Sequence, residues 1–365
     1  MELDDLNIDN AWDSFLTNNE PEENINIDSE TCYFENNVER NVPEKQKTDI
    51  PKCSDLHIST KTKIAHLNQK MDLDNVFWKL PVIEFFKPEC GIIKKQMKIS
   101  CLNKDELDSL LEKITTEKRF VNQNILSHID NPDGRVKFKD VRKINIGISK
   151  KDIESYRSKI KSAFYNCFVL IIRIKFDGDF KELHVKVFNT GQLEIPGIKK
   201  DEMFTDVMKI LIEKLQPFIA TKLDYNREKT ETILYNSNFN CGFYINRDKF
   251  YNLLKYKYKI QAIYDPCSYP GIQCKFYYNS KLKIHDTSFG IKKDDTDSKI
   301  SFMVFRTGST LIVGKCSKKI LERVYNFLKK ILLDEYYEIV QKVAIEEPKK
   351  KDKKRKIKKK IYVKI

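Results

Sequence analysis

Residues 187–199 read VFNTGQLEIPGIK, and residues 304–316 read VFRTGSTLIVGKC. The two stretches share Val187/Val304, Phe188/Phe305, Thr190/Thr307, Gly191/Gly308, Ile195/Ile312 and Gly197/Gly314. Each follows an apolar strand-like run and precedes a long amphipathic helix. A strand–turn–strand–helix unit that occurs twice signals an internal repeat, and two such units side by side can share one continuous sheet.

Working outward from the first copy, Phe168 to Phe176 (FVLIIRIKF) has the β-branched composition of a strand. Period two puts Phe168, Leu170, Ile172 and Ile174 on one face and Val169, Ile171, Arg173 and Lys175 on the other. After the turn Asp177-Gly178-Asp179, Leu183, Val185 and Val187 share a face, and His184, Lys186 and Phe188 share the opposite one. Phe188 is therefore a large aromatic on a base-bearing face. Periodicity alone leaves open whether it is a core residue or a contact residue. Residues 201–216 predict a helix with Phe204, Val207, Met208, Leu211 and Leu215 inward, limited by Pro217. In the second copy, Thr232 to Asn246 predicts a strand and a turn into a helix near Arg247–Lys255. Ile272 to Tyr278 predicts a strand with Gln273, Lys275 and Tyr277 on one face. Ile300, Phe302 and Val304 then alternate with Ser301, Met303 and Phe305, and Ser317 caps a last helix carrying Ile320, Val324, Leu328, Ile331 and Leu332. Residues 279–299 read as a polar loop. Each unit thus has one sheet face for its helix and a second face rich in polar, basic and aromatic side chains, a normal arrangement for antiparallel strands.

The 365 residues suffice for two domains, or one large domain with tails. A net charge of +14 points to an acidic partner, nucleic acid ahead of an anionic membrane surface. Residues 1–50 are acid-rich, whereas Pro348 to Lys360 reads PKKKDKKRKIKKK. We expect residues 1–70 to be a mostly disordered acidic tail, with Ala11 to Leu16 (AWDSFL) either a docking segment or a local cluster. Order is expected from about Met71. Gly91 to Ser100 reads as a strand, and Asn103 caps a helix carrying Leu107, Leu110, Leu111 and Ile114. An inserted β-rich piece follows near 120–150, with a turn at Asn131-Pro132-Asp133-Gly134. The expected division is 1–70 tail, 71–220 first repeat, 221–345 second repeat and 346–365 basic tail, the last a disordered tail, phosphate clamp or import signal. No run of about 18 apolar residues is present, and the N-terminus lacks a signal pattern. The nine cysteines form no CxxC pair, so no metal site is expected and the thiols read as reduced. The five histidines are dispersed, no nucleophile–base pair or Gly-rich phosphate loop stands out, and neither an enzyme nor a cofactor is expected.

The repeated F-x-[ST]-G signature with a second glycine six residues on, each copy followed by a helix, resembles the TATA-box-binding protein family. Tyr264-Asp265-Pro266 followed by Tyr269-Pro270-Gly271 is similar to that family's second-repeat loop. The insertion and tails resemble the divergent forms of large DNA viruses. The resemblance covers roughly Gly91 to Asp334. It implies an α+β fold: a pseudo-symmetric two-repeat saddle whose curved antiparallel sheet carries helices on its convex face, with disordered tails. It also implies a function, binding the minor groove of AT-rich promoter DNA and bending it to nucleate transcription initiation. Phe188 and Phe305 match one wedge residue of each pair, and Tyr269 matches the second wedge of the later repeat. Arg173, Lys275 and Lys186 match basic or groove-side positions, Thr190 and Thr307 the turn hydroxyls, and Leu311 and Val313 groove-facing positions. Tyr264, Asp265, Pro266 and Pro270 fall where a transcription-factor-IIB-like protein docks, which would link the chain to RNA polymerase machinery. The implied compartment is a nucleus, a viral factory in the host cytoplasm, or the virion. No membrane partner is implied.

The departures fall mostly in the first copy. Direct alignment puts Cys167 at the partner wedge, with Tyr165 or Phe168 as substitutes only if the register shifts. Glu194 stands at a groove-facing apolar position. Pro196 and Val313 replace threonines, and Gln192 and Ser309 replace lysines. Asn236 and Asn238 both fit the central asparagine of the second copy, with only Gln96 available in the first. Two other readings therefore stand beside DNA bending: a saddle-shaped protein-interaction scaffold that no longer bends DNA, and an accessory domain of a nucleic-acid-processing enzyme.

Overall fold

The computed structural model describes residues 50–154, 164–279, 281, 289–292 and 298–341. In chain order the elements are β1 (His57–His66), α1 (Leu73–Lys79), β2 (Gly91–Cys101), α2 (Lys104–Thr116), β3 (Val121–Asp130), β4 (Phe138–Gly147), α3 (Lys150–Glu154), β5 (Cys167–Phe176), β6 (Asp179–Phe188) and β7 (Gln192–Ile198). They continue with α4 (Asp201–Leu215), β8 (Glu231–Asn240), α5 (Arg247–Asn252), β9 (Gln261–Ile263), β10 (Ile272–Tyr278), β11 (Ser298–Val304), β12 (Ser309–Gly314), α6 (Lys318–Asp334) and α7 (Tyr336–Ile339). The strands form one antiparallel sheet in the order β3-β4-β2-β5-β6-β7-β1-β8-β12-β11-β10-β9. With β3 and β4 set aside, this order reads equivalently inward from both ends and meets at the β1–β8 pair.

Alternation decides which side chains face the helices. Phe168, Leu170, Ile172 and Ile174 of β5 and Leu183, Val185 and Val187 of β6 pack with Phe204, Val207, Met208, Leu211 and Leu215 of α4 in a first core. Ile300, Phe302 and Val304 of β11 and Ile312 of β12 pack with Leu321, Val324, Leu328, Ile331 and Leu332 of α6 in a second. Each such buried side chain contributes about 1.5–3 kcal/mol of transfer free energy. The helix starts follow the sequence reading: Ser317 accepts a hydrogen bond from the Ile320 amide, and Asn103 from the Glu106 amide. Ile320 only skirts its core, and of the α2 stripe Leu110 alone is buried.

The two halves also repeat their hydrogen bonds. The Leu67 amide donates to the Gly191 carbonyl (2.8 Å) as the Cys241 amide donates to that of Gly308 (3.0 Å). The Met71 amide donates to the Asn189 carbonyl as the Ile245 amide donates to that of Arg306. Asp72 caps α1 by accepting from the Asn75 amide, and Asn246 caps α5 by accepting from the Lys249 amide.

Two boundaries differ from the expected ones. The acidic tail was expected to reach residue 70, and the first repeat to start at 71. Instead β1 lies at the middle of the sheet, between β7 and β8, with Ala65 fully buried and Ile64 7% exposed. Its lysines disguised it. Lys61 and Lys63 face α4, where Asp201 receives both ammonium groups at 3.5 and 2.7 Å, and Lys63 Nζ lies 4.8 Å from the Phe204 ring centroid. The inserted piece at 120–150 is β-rich as expected, yet it is no separate module. β4 pairs with β2 and β3 with β4, so the insertion lengthens the first half of the sheet. Residues 1–49, with the AWDSFL patch, the basic tail from 346 and most of the 279–299 loop lie outside the described residues.

Candidate nucleic-acid interface

The sheet face turned away from α4 and α6 collects the other alternate residues. In the second half this side carries Gln273, Lys275 and Tyr277 of β10, Ser301 and Met303 of β11 with Phe305 just beyond, Ser309, Leu311 and Val313 of β12, and Asn236 and Asn238 of β8; Met303 and Val313 are buried, so Val313 is not exposed for the groove contact expected of it. Registers place Met303 beside Leu311, Ser301 beside Val313, Leu311 beside Asn238 and Val313 beside Asn236. Phe305 is half-buried and belongs to neither core. Its ring centroid lies 5.9 Å from that of Tyr269 at an interplanar angle of 60°. The Tyr269 hydroxyl donates to Met303 Sδ at 3.0 Å, and burial pushes the phenol up to about 12. Gly271 leaves room for the ring pair. A Cβ there would stand 3.0 Å from Phe305 Cε1 and 3.1 Å from Tyr269 Cε1. Lys275 is half-buried across from Ser301 and holds no ion pair among the described residues. Thr307 is exposed at the β11–β12 turn, as Thr190 is at the β6–β7 turn.

The first half builds the same face with different chemistry. Phe188 is buried, 9% exposed, yet it joins neither helix-side core; it pairs across strands with Cys167, whose thiol burial pushes up to about 11. The register resolves the missing wedge. Phe168 pairs with Val187 as Ile272 pairs with Val304, so Cys167 occupies the position of Gly271 and Tyr165 that of Tyr269. Tyr165 is exposed, and Lys98 Nζ sits over its ring at 3.7 Å. The cross-strand pair Met303–Leu311 becomes Lys186–Glu194, an ion pair of 2.8 Å that neutralises the Glu194 carboxylate. It also occupies Lys186. Arg173 is not a phosphate ligand in this arrangement. It is 5% exposed, and its guanidinium donates to the carbonyls of Lys87 and Phe85, both at 2.8 Å, between the rings of Phe85 and Phe180. The short helix α3 adds a further occupant. Asp152 binds Lys94 of this face at 2.6 Å and accepts from the Ser149 amide and hydroxyl, while the Lys150 amide donates to Glu182. Burial drives the Asp152 carboxyl upward, but these bonds outweigh it and leave its pKa below the usual carboxylate value.

Sequence reasoning missed β1. Its residues Thr60 and Thr62 lie across from Asn236 and Leu234, and Ile64 lies across from Glu194. By the matched hydrogen bonds, Thr62 is the counterpart of Asn236, a place for which Gln96 had been the candidate; Gln96 lies on β2, between β4 and β5. The period-two run HISTKTKIAH was the available signal. Asn238 donates to Ser59 Oγ at 3.0 Å, and Asn236 is 4% exposed.

The 264–271 loop stands at the side of the second half. Tyr264 is half-buried, 6.2 Å from the Tyr251 ring, with the Arg247 guanidinium at 5.3 Å. Arg247 also donates to the Pro270 carbonyl. Asp265 accepts from the Cys267 amide at 3.1 Å, and Asp265, Pro266 and Pro270 are exposed.

Comparison with known proteins agrees with the signature at the level of sequence. No family model matches the chain. Among solved structures, Methanococcus jannaschii TBP aligns with a TM-score of 0.37 and 15% identity, over 78% of this chain and 99% of that one. Among curated proteins, a "TATA-box-binding protein-like" protein of Acanthamoeba polyphaga mimivirus is 26% identical over 196 residues, 50% of this chain and 52% of the relative, so the chain matches about half the length of that relative. The repeated signature and this relative together make the chain similar to a divergent TATA-box-binding-protein-like protein.

Proposed function

We propose that the chain is a transcription initiation factor that lays the far face of its sheet in the minor groove of AT-rich duplex DNA and bends it. The observation that carries this reading is the Tyr269–Phe305 ring pair, held outside the core beside a strip of Met303, Leu311 and Val313, of which Leu311 alone is partly exposed while Met303 and Val313 are buried. Apolar wedges entering a base step from the minor groove, a scheme of which TATA-box-binding protein is the type case, require rings with this placement. Asn236 and Asn238 suit a groove floor that displays mostly acceptors, and Lys275 suits a phosphate at its rim. The second half is then the reading half. The first half contributes Phe188 and Tyr165 once its own ion pairs yield. On the same reading the exposed 264–271 loop receives a transcription-factor-IIB-like protein.

A second reading is favoured by Arg173, Lys186 and Lys94, which are all engaged within the protein. On that reading the molecule is an interaction scaffold that does not bend DNA. Fluorescence transfer between the ends of a labelled duplex separates the two. Bending of a TATA duplex but not a GC duplex, lost in Phe305→Ala, supports the first. An unbent duplex, or equal affinities for both that vanish together at moderate salt, refutes it.

A further inference from the structure

A cleft of about 580 Å³ opens on the helix-bearing side, between the end of α1 and the exit of α2 into β3. It lies away from the proposed DNA face and just ahead of the insertion in the chain. Trp78, Leu80, Pro81 and Val82 supply apolar wall, and Lys79, Lys95, Lys113, Lys118 and Arg119 supply five cations against one carboxylate, Glu117. Lys95 is held beneath the cleft: it is 1% exposed, donates to the Leu80 and Trp78 carbonyls at 2.8 and 3.2 Å, and its Nζ lies 5.2 Å from the Phe77 ring centroid. Arg119 is satisfied by Glu84, and Lys113 lies 5.9 Å from the Trp78 ring. Lys79 and Lys118 are exposed and have no partner among the described residues. Two helix C-termini converge here, and their partial negative charge accounts for Lys95 and for Lys113. It does not account for the remaining cations or for the indole beside them.

We infer that this cleft binds an acidic peptide segment of a partner protein, with one apolar side chain seated against Trp78 and carboxylates at Lys79 and Lys118. A bare phosphate would use the cations and leave the apolar wall empty. A nucleic-acid backbone would need a basic track continuing beyond the cleft, whereas Glu84 and Glu117 interrupt it.

The test uses the full chain with Trp12→Phe, which leaves Trp78 as the sole indole. The probe is a synthetic peptide of aspartates and glutamates around a central phenylalanine, titrated while Trp78 emission is followed. The expected result is a saturable change that weakens by about tenfold in Lys79→Glu/Lys118→Glu, since each exposed ion pair contributes about 0.2–1 kcal/mol and the reversal adds repulsion. Replacing the central phenylalanine by glycine should also weaken binding. Both substituted positions are exposed, and an unchanged urea midpoint confirms that the variant is folded. Absence of a saturable change, unaltered affinity in the folded double variant, or equal binding of the glycine peptide or inorganic phosphate overturns the inference. Competition by duplex DNA for the cleft would overturn it too.

Discussion

Substituting Gly308 by alanine should make the molecule unfold at distinctly lower denaturant. Gly308 has φ +80°, and a Cβ there would collide with the Phe243 carbonyl oxygen and lie 2.7 Å from Cys241 Sγ. The left-handed conformation disfavours alanine by about 1 kcal/mol. Relieving the contact with a backbone oxygen requires the turn to move. That strains the bond from the Gly308 amide to the Phe305 carbonyl and the bond from the Cys241 amide to the Gly308 carbonyl, both 3.0 Å. At about 1 kcal/mol net for each weakened bond, the total is roughly 2–4 kcal/mol. Gly191 repeats the geometry, with φ +86° and a Cβ position that collides with the Gln69 carbonyl oxygen, so Gly191→Ala should behave alike. Gly178 is the internal control. It has φ +85° with nothing within 4 Å, so only the conformational contribution of about 1 kcal/mol should appear. Urea unfolding followed by far-ultraviolet circular dichroism measures all three. If Gly308→Ala and Gly191→Ala are no more destabilising than Gly178→Ala, the close approach of the turn to the strand–helix connection is wrong.

Three further perturbations address the far face and the buried lysine. Glu194→Gln should release Lys186 for phosphate contact, tightening DNA binding and steepening the logarithmic salt dependence by about 0.9; an unchanged slope in a filter-binding series would count against it. Asp152→Asn should free Lys94 and raise DNA affinity by about two- to fivefold at low salt, and identical titrations of variant and parent would show that α3 does not compete with DNA. Burial lowers the Lys95 ammonium to about 8 from an ordinary value of 10.5, so between those values the unfolded chain holds more protons than the folded one. Stability should therefore rise with pH across that window, and Lys95→Met should flatten the rise in parallel urea titrations; equal slopes would reject the assignment.

The repeated signature revealed much of the fold because it marks places where the backbone itself is constrained, a tight turn and an alternating strand on either side. Alternation then assigned Phe188 and Phe305 to the correct face, and the inward residues of α4 and α6 followed from their spacing. β1 was hidden because its covered face carries Lys61 and Lys63, whose burial is made tolerable by Asp201, far away in sequence. Arg173 was misjudged for the converse reason. Alternation places it on the far face, but only tertiary structure brings the Phe85 and Lys87 carbonyls to its guanidinium. The exchange of Met303–Leu311 for Lys186–Glu194 was half visible, since Glu194 stood out alone while its partner is identified only by strand register.

The β1–β8 seam has a consequence for how the polypeptide reaches its native state. Cys53, Leu56 and Ile58 pack in the second core, and the Tyr325 hydroxyl donates to the Ser54 carbonyl, although this stretch opens the first half. No cut in the connection between α4 and β8 yields two self-sufficient pieces. The downstream fragment would lack part of its interior and present β8 as a bare edge, an invitation to self-association. During synthesis the opening strand must also wait for most of the chain before its second neighbour emerges. Such distant pairing makes folding slow and favours assembly of the two halves as one cooperative event.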